Sequence, residues 1–367
     1  MVKSSRPPAN GFVAAARKVY NPLGFSKGYN FVLFFIFGVG MFGFVLARFP
    51  YLNFRGIYCS GKGGATMGAL PGECYYYLKP GRYQVGIIMH LACVLPATVL
   101  ALLQFIPAIR HKAMLFHRIN GYVTIALSLA GTVGALLITD KAFGGGLDVQ
   151  AAAGTLAIMF TTALIMAYIN IKKLQIEQHR AWMLRAWYYA GVILTTRIIL
   201  VLGAMIGSRA NDMYIGMLCA KVDFMMQSKP AVLAAFPGCA PFYSGQDAAV
   251  HVAVHAANPG ANVAEVTAAF NATFGMALWL ALVLHAVGIE IYLHLTPAEA
   301  LRLRNISYQR QMAAGMRNPG NAGLTAQRLG DAPEYVPDTQ QERSSSADKF
   351  EPMRYSPRDY SPVHTGV

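Results

Sequence analysis

Six long apolar stretches, separated by shorter polar ones, dominate the hydrophobic pattern of the sequence. A helix needs about 20 apolar residues to cross a bilayer, and each stretch is close to that length. The third stretch is rich in small residues between Ala126 and Ala135, which lets another helix approach closely. The pattern predicts an all-α polytopic membrane protein with six transmembrane helices. The stretches cover Phe31–Arg48, Val85–Pro107, Gly121–Ile138, Ala151–Ile169, Ala186–Ile206 and Ala272–Leu293.

These stretches divide the chain into seven segments. The first apolar stretch has no small-residue cleavage site behind it, so we interpret it as a signal anchor. The last segment is rich in Ser, Pro, Arg and Asp, which is typical of a disordered tail. The predicted segments are a cytosolic basic segment at 1–30, a signal-anchor helix at 31–50, an outside cysteine loop at 51–84, a four-helix membrane core at 85–207, a second outside cysteine loop at 208–271, a sixth transmembrane helix at 272–294 and a disordered cytosolic tail at 295–367.

The charges agree with a membrane protein and orient it. Only 13% of the residues are charged, against about 25% in soluble domains, and 31 Lys and Arg oppose 17 Asp and Glu. Most of the basic residues lie in the two terminal segments and in the loops after the second and fourth stretches, which share one side of the membrane if the helices alternate. The positive-inside rule therefore predicts that both termini are cytosolic.

The same charges bear on partners and location. They lie between the apolar stretches rather than along one face, so a nucleic-acid partner is not expected. The expected partners are the lipid bilayer and, for the tail, cytosolic proteins. No acidic residue precedes Glu73, as in mitochondrial presequences, but Pro7, Pro8 and Pro22 interrupt the amphipathic helix that such a presequence needs. The sequence favours the plasma membrane or an endomembrane over mitochondria.

Two pairs of cysteines lie in the loops predicted to be outside. Cys59 and Cys74 are in the first loop, and Cys219 and Cys239 are in the second. Such positions suggest disulfides in an oxidising compartment, while the pairing within or between loops stays open. Asn271, in the sequence Asn-Ala-Thr, is a glycosylation candidate on the same side.

A His-Arg pair follows a short basic loop at two places in the core. The motifs read His117-Arg118-Ile119-Asn120-Gly121 and His179-Arg180-Ala181-Trp182-Met183-Leu184-Arg185, and a further arginine follows at Arg197. On these motifs, the span Val85–Ile206 resembles an uncharacterised membrane family, domain of unknown function 2306. The resemblance implies no settled activity. Its arrangement is similar in outline to four-helix transmembrane cytochromes.

The histidines suggest haem as a cofactor. His117 and His179 open parallel helices at the same predicted depth, as two axial ligands of one haem or another metal would. Arg118, Arg180 and Arg185 lie beside them and are candidates to bind haem propionates. Interfacial anchoring of these side chains explains the same motifs without a cofactor. His285, inside the sixth helix, either joins this site or bonds to a neighbouring helix.

Arg197 is the other unusual residue, because its predicted position is near the bilayer centre. An arginine at that depth costs at least about 2.5–3.5 kcal/mol unless it faces protein or water. No other predicted span has a carboxylate at that depth, so the expected partners are backbone carbonyls, Thr161 or Thr162, or an anionic ligand.

Three functions remain open on the sequence, and it does not decide whether the protein is an enzyme. The first is a cytochrome-like electron-transfer module with haem at His117 and His179. The second is a transporter or lipid-handling protein with a polar cavity at Arg197, and the third is a non-catalytic scaffold. The sequence has no Walker, dinucleotide-binding, HExxH or GxSxG motif, so it does not support a hydrolase or a nucleotide-driven pump.

Overall fold

The computed structural model describes residues 7–60 and 68–337 of the chain, which are predominantly helical. Six helices are long and apolar enough to cross a membrane, as the sequence predicts. We number them spans 1 to 6. They cover Gly28–Leu46, Arg82–Gln104, Met114–Ile138, Leu147–Lys172, Ile176–Gly207 and Val263–His294.

Two of the spans contain irregular turns. Span 1 passes through a wider π-helical segment at Phe34–Val39, and span 5 is interrupted at Gly191. The other helical elements are short. They cover Gly11–Tyr20, Phe49–Leu52, Phe54–Tyr58, Cys74–Tyr77, Pro107–Lys112, Ala142–Gly144, Cys219–Met226, Lys229–Ala235, Pro237–Cys239, Ala240–Ser244, Pro297–Ala313 and Gln327–Leu329.

The chain forms two compact units. The first, which we call the membrane unit, comprises Met1–Ile165 and Trp182–Leu295. The second, the tail unit, comprises Met166–Ala181 and the part of the chain from Thr296 onward. We describe each unit by itself.

Within the membrane unit, small residues bring spans 2 and 3 together as predicted. A Cβ atom on Gly134 would lie 2.7 Å from both the Gly86 carbonyl oxygen and the His90 backbone nitrogen, so only glycine permits this approach. His90 adds a hydrogen bond from Nδ1 to the Gly131 carbonyl, at 2.9 Å. The small-residue face of the third span is therefore a helix interface.

The loop segments 47–60, 68–81, 139–146 and 208–262 lie at one end of the membrane unit, which we call the disulfide end. Cys59 bonds to Cys74, and Cys219 bonds to Cys239, so each disulfide closes its own loop. Antiparallel strands Tyr214–Leu218 and His251–His255 pair in register from Tyr214 with His255 to Leu218 with His251. An apolar cluster that includes Met217, Val222 and Ala268 packs the strands against span 6. The predicted disulfides are confirmed, and the pairing is within each loop.

The tail unit contains a buried polar network. The Gln175 side-chain oxygen accepts hydrogen bonds from the Gln311 side chain and the Gly323 backbone, both at 2.9 Å. Ser307 donates to Glu177 at 2.6 Å and accepts from the Ile176 backbone at 2.8 Å. Gln175, Ser307 and Gln311 are fully buried. Such a network is stable because its members satisfy one another.

This network corrects the predicted start of the disordered tail. Helix Pro297–Ala313 and the chain that follows it pack against Asn170–Glu177, although their composition is polar. A sequence pattern of apolar residues does not detect this packing, because the buried side chains are amides and hydroxyls. Residues 338–367, the rest of the predicted tail, lie outside the described residues.

Candidate functional site

A buried carboxylate, Glu73, lies at the disulfide end next to Cys74. Its side chain is 4% exposed, and its Oε1 atom accepts a hydrogen bond from the Phe143 backbone N–H at 2.8 Å. Phe143 belongs to the turn between spans 3 and 4 and has a positive φ of 48°. A residue other than glycine rarely adopts this conformation, which often occurs where a site constrains the backbone. Glu73 therefore lies beside the Cys59–Cys74 disulfide and binds the backbone of the constrained turn at Phe143.

Arg197 stacks on the same turn. Its guanidinium lies 4.6 Å from the centre of the Phe143 ring and 5.7 Å from that of Phe274. The two rings are parallel, with centres 3.8 Å apart. Arg197 is ten residues before the end of span 5, about 15 Å of helix from the disulfide end.

The structure adds partners of Arg197 that the sequence did not indicate, and the expected anionic ligand stays a prediction. The structure gives it aromatic rings from the loop at Phe143 and from span 6, rather than Thr161 or Thr162. A carboxylate does act on it electrostatically, but Glu73 comes from a loop and not from another span. Span 5 begins at Ile176, ten residues before the predicted Ala186, but its other end is within one residue of the predicted Ile206, so the depth of Arg197 stays a prediction.

A second cation, Lys221, reaches the cluster from the other disulfide loop. Its side chain is 5% exposed, and its ammonium lies 5.8 Å from the centre of the Tyr76 ring. The stem of Lys221 packs against Gly72, which has a φ of +88°; a Cβ atom there would lie 2.6 Å from Lys221 Cε. The glycine beside Glu73 therefore makes room for the lysine.

Two buried tyrosines complete the cluster. Tyr77 is 1% exposed and Tyr58 is 9% exposed. Burial raises the pKa of both phenols well above its usual value, and the nearby Glu73 carboxylate raises it further. Both hydroxyls therefore stay neutral and remain hydrogen-bond donors.

The electrostatics of the cluster are unbalanced. Burial raises the pKa of Glu73, whereas the Phe143 N–H and the charges of Arg197 and Lys221 act to lower it. Burial also lowers the pKa of Lys221, against the attraction of Glu73. Within the described residues, neither cation has a carboxylate oxygen within 4 Å. The cluster has two cations, one carboxylate and more donors than acceptors.

Two of the predicted haem-binding residues have protein partners in the membrane unit. Arg185 forms a bidentate pair with Glu290, at 2.6 and 2.9 Å. His285 bonds through Nδ1 to the Tyr188 carbonyl at 2.6 Å and through Nε2 to the Thr195 hydroxyl at 2.8 Å. A carbonyl only accepts, so Nδ1 carries the proton and Nε2 accepts from Thr195. His285 thus bonds to a neighbouring helix, one of its two expected roles.

The remaining predicted ligands lie near the first residues of spans 3 and 5. His117 is half-buried in the second turn of span 3, and Arg118 beside it is exposed. In the tail unit, His179 Nδ1 donates to the Ala167 carbonyl at 3.0 Å, which leaves the lone pair on Nε2; Arg180 is half-buried. No group of three His, Cys, Asp or Glu side chains in the described ranges could hold a metal. Haem at His117 and His179 stays a prediction.

The structure argues against the glycosylation candidate. Asn271 lies within span 6 and is only 8% exposed, and Gly144 packs against its side chain. A glycan on this amide has no room, because the surrounding atoms belong to the packed end of the bundle.

The comparison with protein families gives one finding. Residues 87–224 match the family described as predicted membrane protein (DUF2306). This match confirms the resemblance seen in the histidine and arginine motifs. No curated protein matches the chain, and neither does a solved structure.

The family segment contains only part of the cluster. Arg197 and Lys221 lie within residues 87–224, whereas Glu73 precedes them. Glu73 and Lys221 were not predicted as site residues from the sequence. The available signal was their position beside cysteines: Glu73 immediately precedes Cys74, and Lys221 follows Cys219 by two residues.

Proposed function

We propose that the protein binds the oxyanion group of a solute or lipid at the disulfide end, as the recognition step of a transporter or lipid-handling protein. One observation carries this proposal: half-buried Arg197 and buried Lys221 both act on the Glu73 carboxylate, and no carboxylate oxygen in the described part of the chain lies within 4 Å of either cation. A multi-pass membrane fold with a polar cluster is consistent with either role.

The cost of placing charges away from water supports this proposal. A buried cation is expensive unless a partner compensates it, and aromatic faces contribute only about 0.5–2 kcal/mol. The Glu73 carboxylate compensates the two cations only in part, because one of its oxygens also accepts a hydrogen bond from the Phe143 N–H. An anion between Arg197 and Lys221 would supply the missing compensation.

The donor types indicate an oxyanion. A guanidinium presents planar N–H groups that match a carboxylate, phosphate or sulfate, and an ammonium adds a compact charge. The Tyr58 and Tyr77 hydroxyls add neutral donors nearby. This donor set suits a ligand whose oxygens carry most of its negative charge.

Sulfate is a suitable first probe, because its charge does not change near neutral pH. We expect full-length protein in an uncharged detergent to bind sulfate in a calorimetric titration. Arg197→Met and Lys221→Met should each weaken binding at least about tenfold, since each loses roughly 1.4 kcal/mol or more of attraction. Lys229→Met is the matched control, because Lys229 is an exposed cation within the same disulfide loop.

The source of the oxyanion is tested in nanodiscs. Phosphatidylglycerol should compete with sulfate if the natural ligand is a lipid headgroup, and should have no effect if it is a soluble anion. Unchanged sulfate binding in both Met variants would overturn the proposal, as would no binding of either probe. An absorption spectrum of the same preparation tests the separate haem hypothesis.

A further inference from the structure

Resting on this proposed function, we infer that the site takes up a proton together with the oxyanion, and that Glu73 is the group that receives it. The geometry places the Glu73 carboxylate where it competes with the ligand. Phe143 contacts both Glu73 and Arg197: its backbone N–H donates to the Glu73 carboxylate, and its ring stacks against the Arg197 guanidinium.

The negative charges of Glu73 and of a bound oxyanion would be stabilised by the same two cations. Both need Arg197 and Lys221, whose charges already act on Glu73. Two anions that share a buried site repel each other, and the one that can accept a proton does so. Transfer of a proton from water to Glu73 makes a neutral carboxyl, which releases both cations to the ligand. With this proton the total charge of the site is unchanged on binding of a singly charged oxyanion, and on binding of sulfate it falls by one instead of two.

The groups around Glu73 support this assignment. Arg197 faces it from span 5, Lys221 from the second disulfide loop, Tyr58 from the first loop and Tyr77 from the next turn. The tyrosines stay neutral and the arginine stays charged near neutral pH. Asp140, before the Phe143 turn, accepts hydrogen bonds from Arg82 and Tyr83, both at 2.7 Å, and lies 3.7 Å from Lys141, so it is already paired. Glu73 is thus the group in this set suited to gain a proton.

Burial sets the direction of the pH dependence. It raises the pKa of Glu73, so that protonation occurs closer to neutral pH than for an exposed carboxyl. Below this pKa the carboxyl is neutral and both cations are available. Sulfate affinity should therefore rise as the pH falls, by about 5- to 150-fold in total, the usual range of coupling between two sites.

The experiment is a calorimetric titration of the full-length protein with sulfate at about pH 5 and about pH 8. We expect tighter binding at the lower pH. Glu73→Gln, which keeps the oxygen that accepts from Phe143, should bind sulfate with nearly equal affinity at both. Asp212→Asn, which neutralises an exposed carboxylate at the same end, should behave like wild type.

Proton uptake gives a second measurement that needs no variant. Titrations of wild type in buffers with different heats of ionisation should show uptake of up to one proton per sulfate. Zero uptake, or the same pH dependence in Glu73→Gln, would overturn the coupling and leave oxyanion binding intact. No sulfate or phosphatidylglycerol binding at either pH would instead reject the proposed function.

Discussion

Phe143 shows how one residue can serve two partners. Its left-handed backbone directs the N–H to Glu73, while the ring supports Arg197 and stacks on Phe274. The conformation costs roughly 1–3 kcal/mol, which the surrounding contacts must offset. A turn strained in this way at the end of a helical bundle is best explained by the groups that it positions.

A single added methyl group at Gly72 tests whether the Lys221 side chain packs against this residue. Gly72→Ala should destabilise the protein by more than the roughly 1–2 kcal/mol expected for a positive φ alone, because the new Cβ overlaps Lys221 Cε and Met225 Sδ, which both belong to buried side chains. Gly245→Ala is the control: Gly245 also has a positive φ, of 77°, but nothing lies within 4 Å of its Cβ position. Thermal unfolding compares the two, and equal losses would show that Lys221 does not pack as described. Sulfate affinity should fall only in Gly72→Ala.

At the scale of elements, each disulfide holds a charged residue of the cluster in place. The loop from Cys59 to Cys74 spans 15 residues and carries Glu73; the loop from Cys219 to Cys239 spans 20 and carries Lys221. In the chain-entropy model, closure of loops of this length stabilises a fold by about 3 kcal/mol each. The disulfides therefore link the stability of the loops to the position of the charges.

We expect a Cys59→Ser, Cys74→Ser double variant to lose about 3 kcal/mol of stability together with most of the pH dependence of its sulfate affinity, because Glu73 is no longer held in the cluster. Cys93→Ser should change neither property, because Cys93 in span 2 forms no disulfide. Thermal unfolding and calorimetry measure the two effects. The wild-type pH dependence in the double variant would show that the disulfide is not needed to hold Glu73.

The stability of the tail unit depends on buried amide side chains. Gln311 donates to Lys173 and Gln175 and accepts from the Gly320 backbone at 2.7 Å. Gln311→Ala leaves buried groups without partners, at a cost of about 1–3 kcal/mol. The chain after Ala313 should then be cleaved faster by proteases. Gln309→Ala, an exposed glutamine on the same helix, should be cleaved like wild type. Equal cleavage of all three proteins would contradict the packing.

At the scale of the whole molecule, the sequence was sufficient for the helices and insufficient for the cluster. Hydrophobic length predicted all six spans, because the bilayer sets that length directly. Arg197 also stood out, since a charge within a span is conspicuous. Glu73 and Lys221 did not, because a charged residue in a polar loop looks exposed until the fold buries it. Buried Gln175 and Gln311 were missed for the same reason.

The charge count predicts that the disulfide end lies outside the cytosol. Oxidised cysteines at this end agree with that orientation. An oxyanion site there would receive its ligand from the outside or from the outer leaflet. The cluster brings together residues from separate loops and spans, so it requires the folded membrane unit.

The location of a bound oxyanion tests the central claim most directly. Selenate has the shape of sulfate, and its selenium scatters X-rays anomalously, so crystals of the wild-type protein grown with selenate reveal where it binds. We predict an anomalous peak in contact with both Arg197 and Lys221, which disappears in Lys221→Met and persists in Lys229→Met. No peak at the cluster, or peaks only beside exposed basic residues, would contradict the claim.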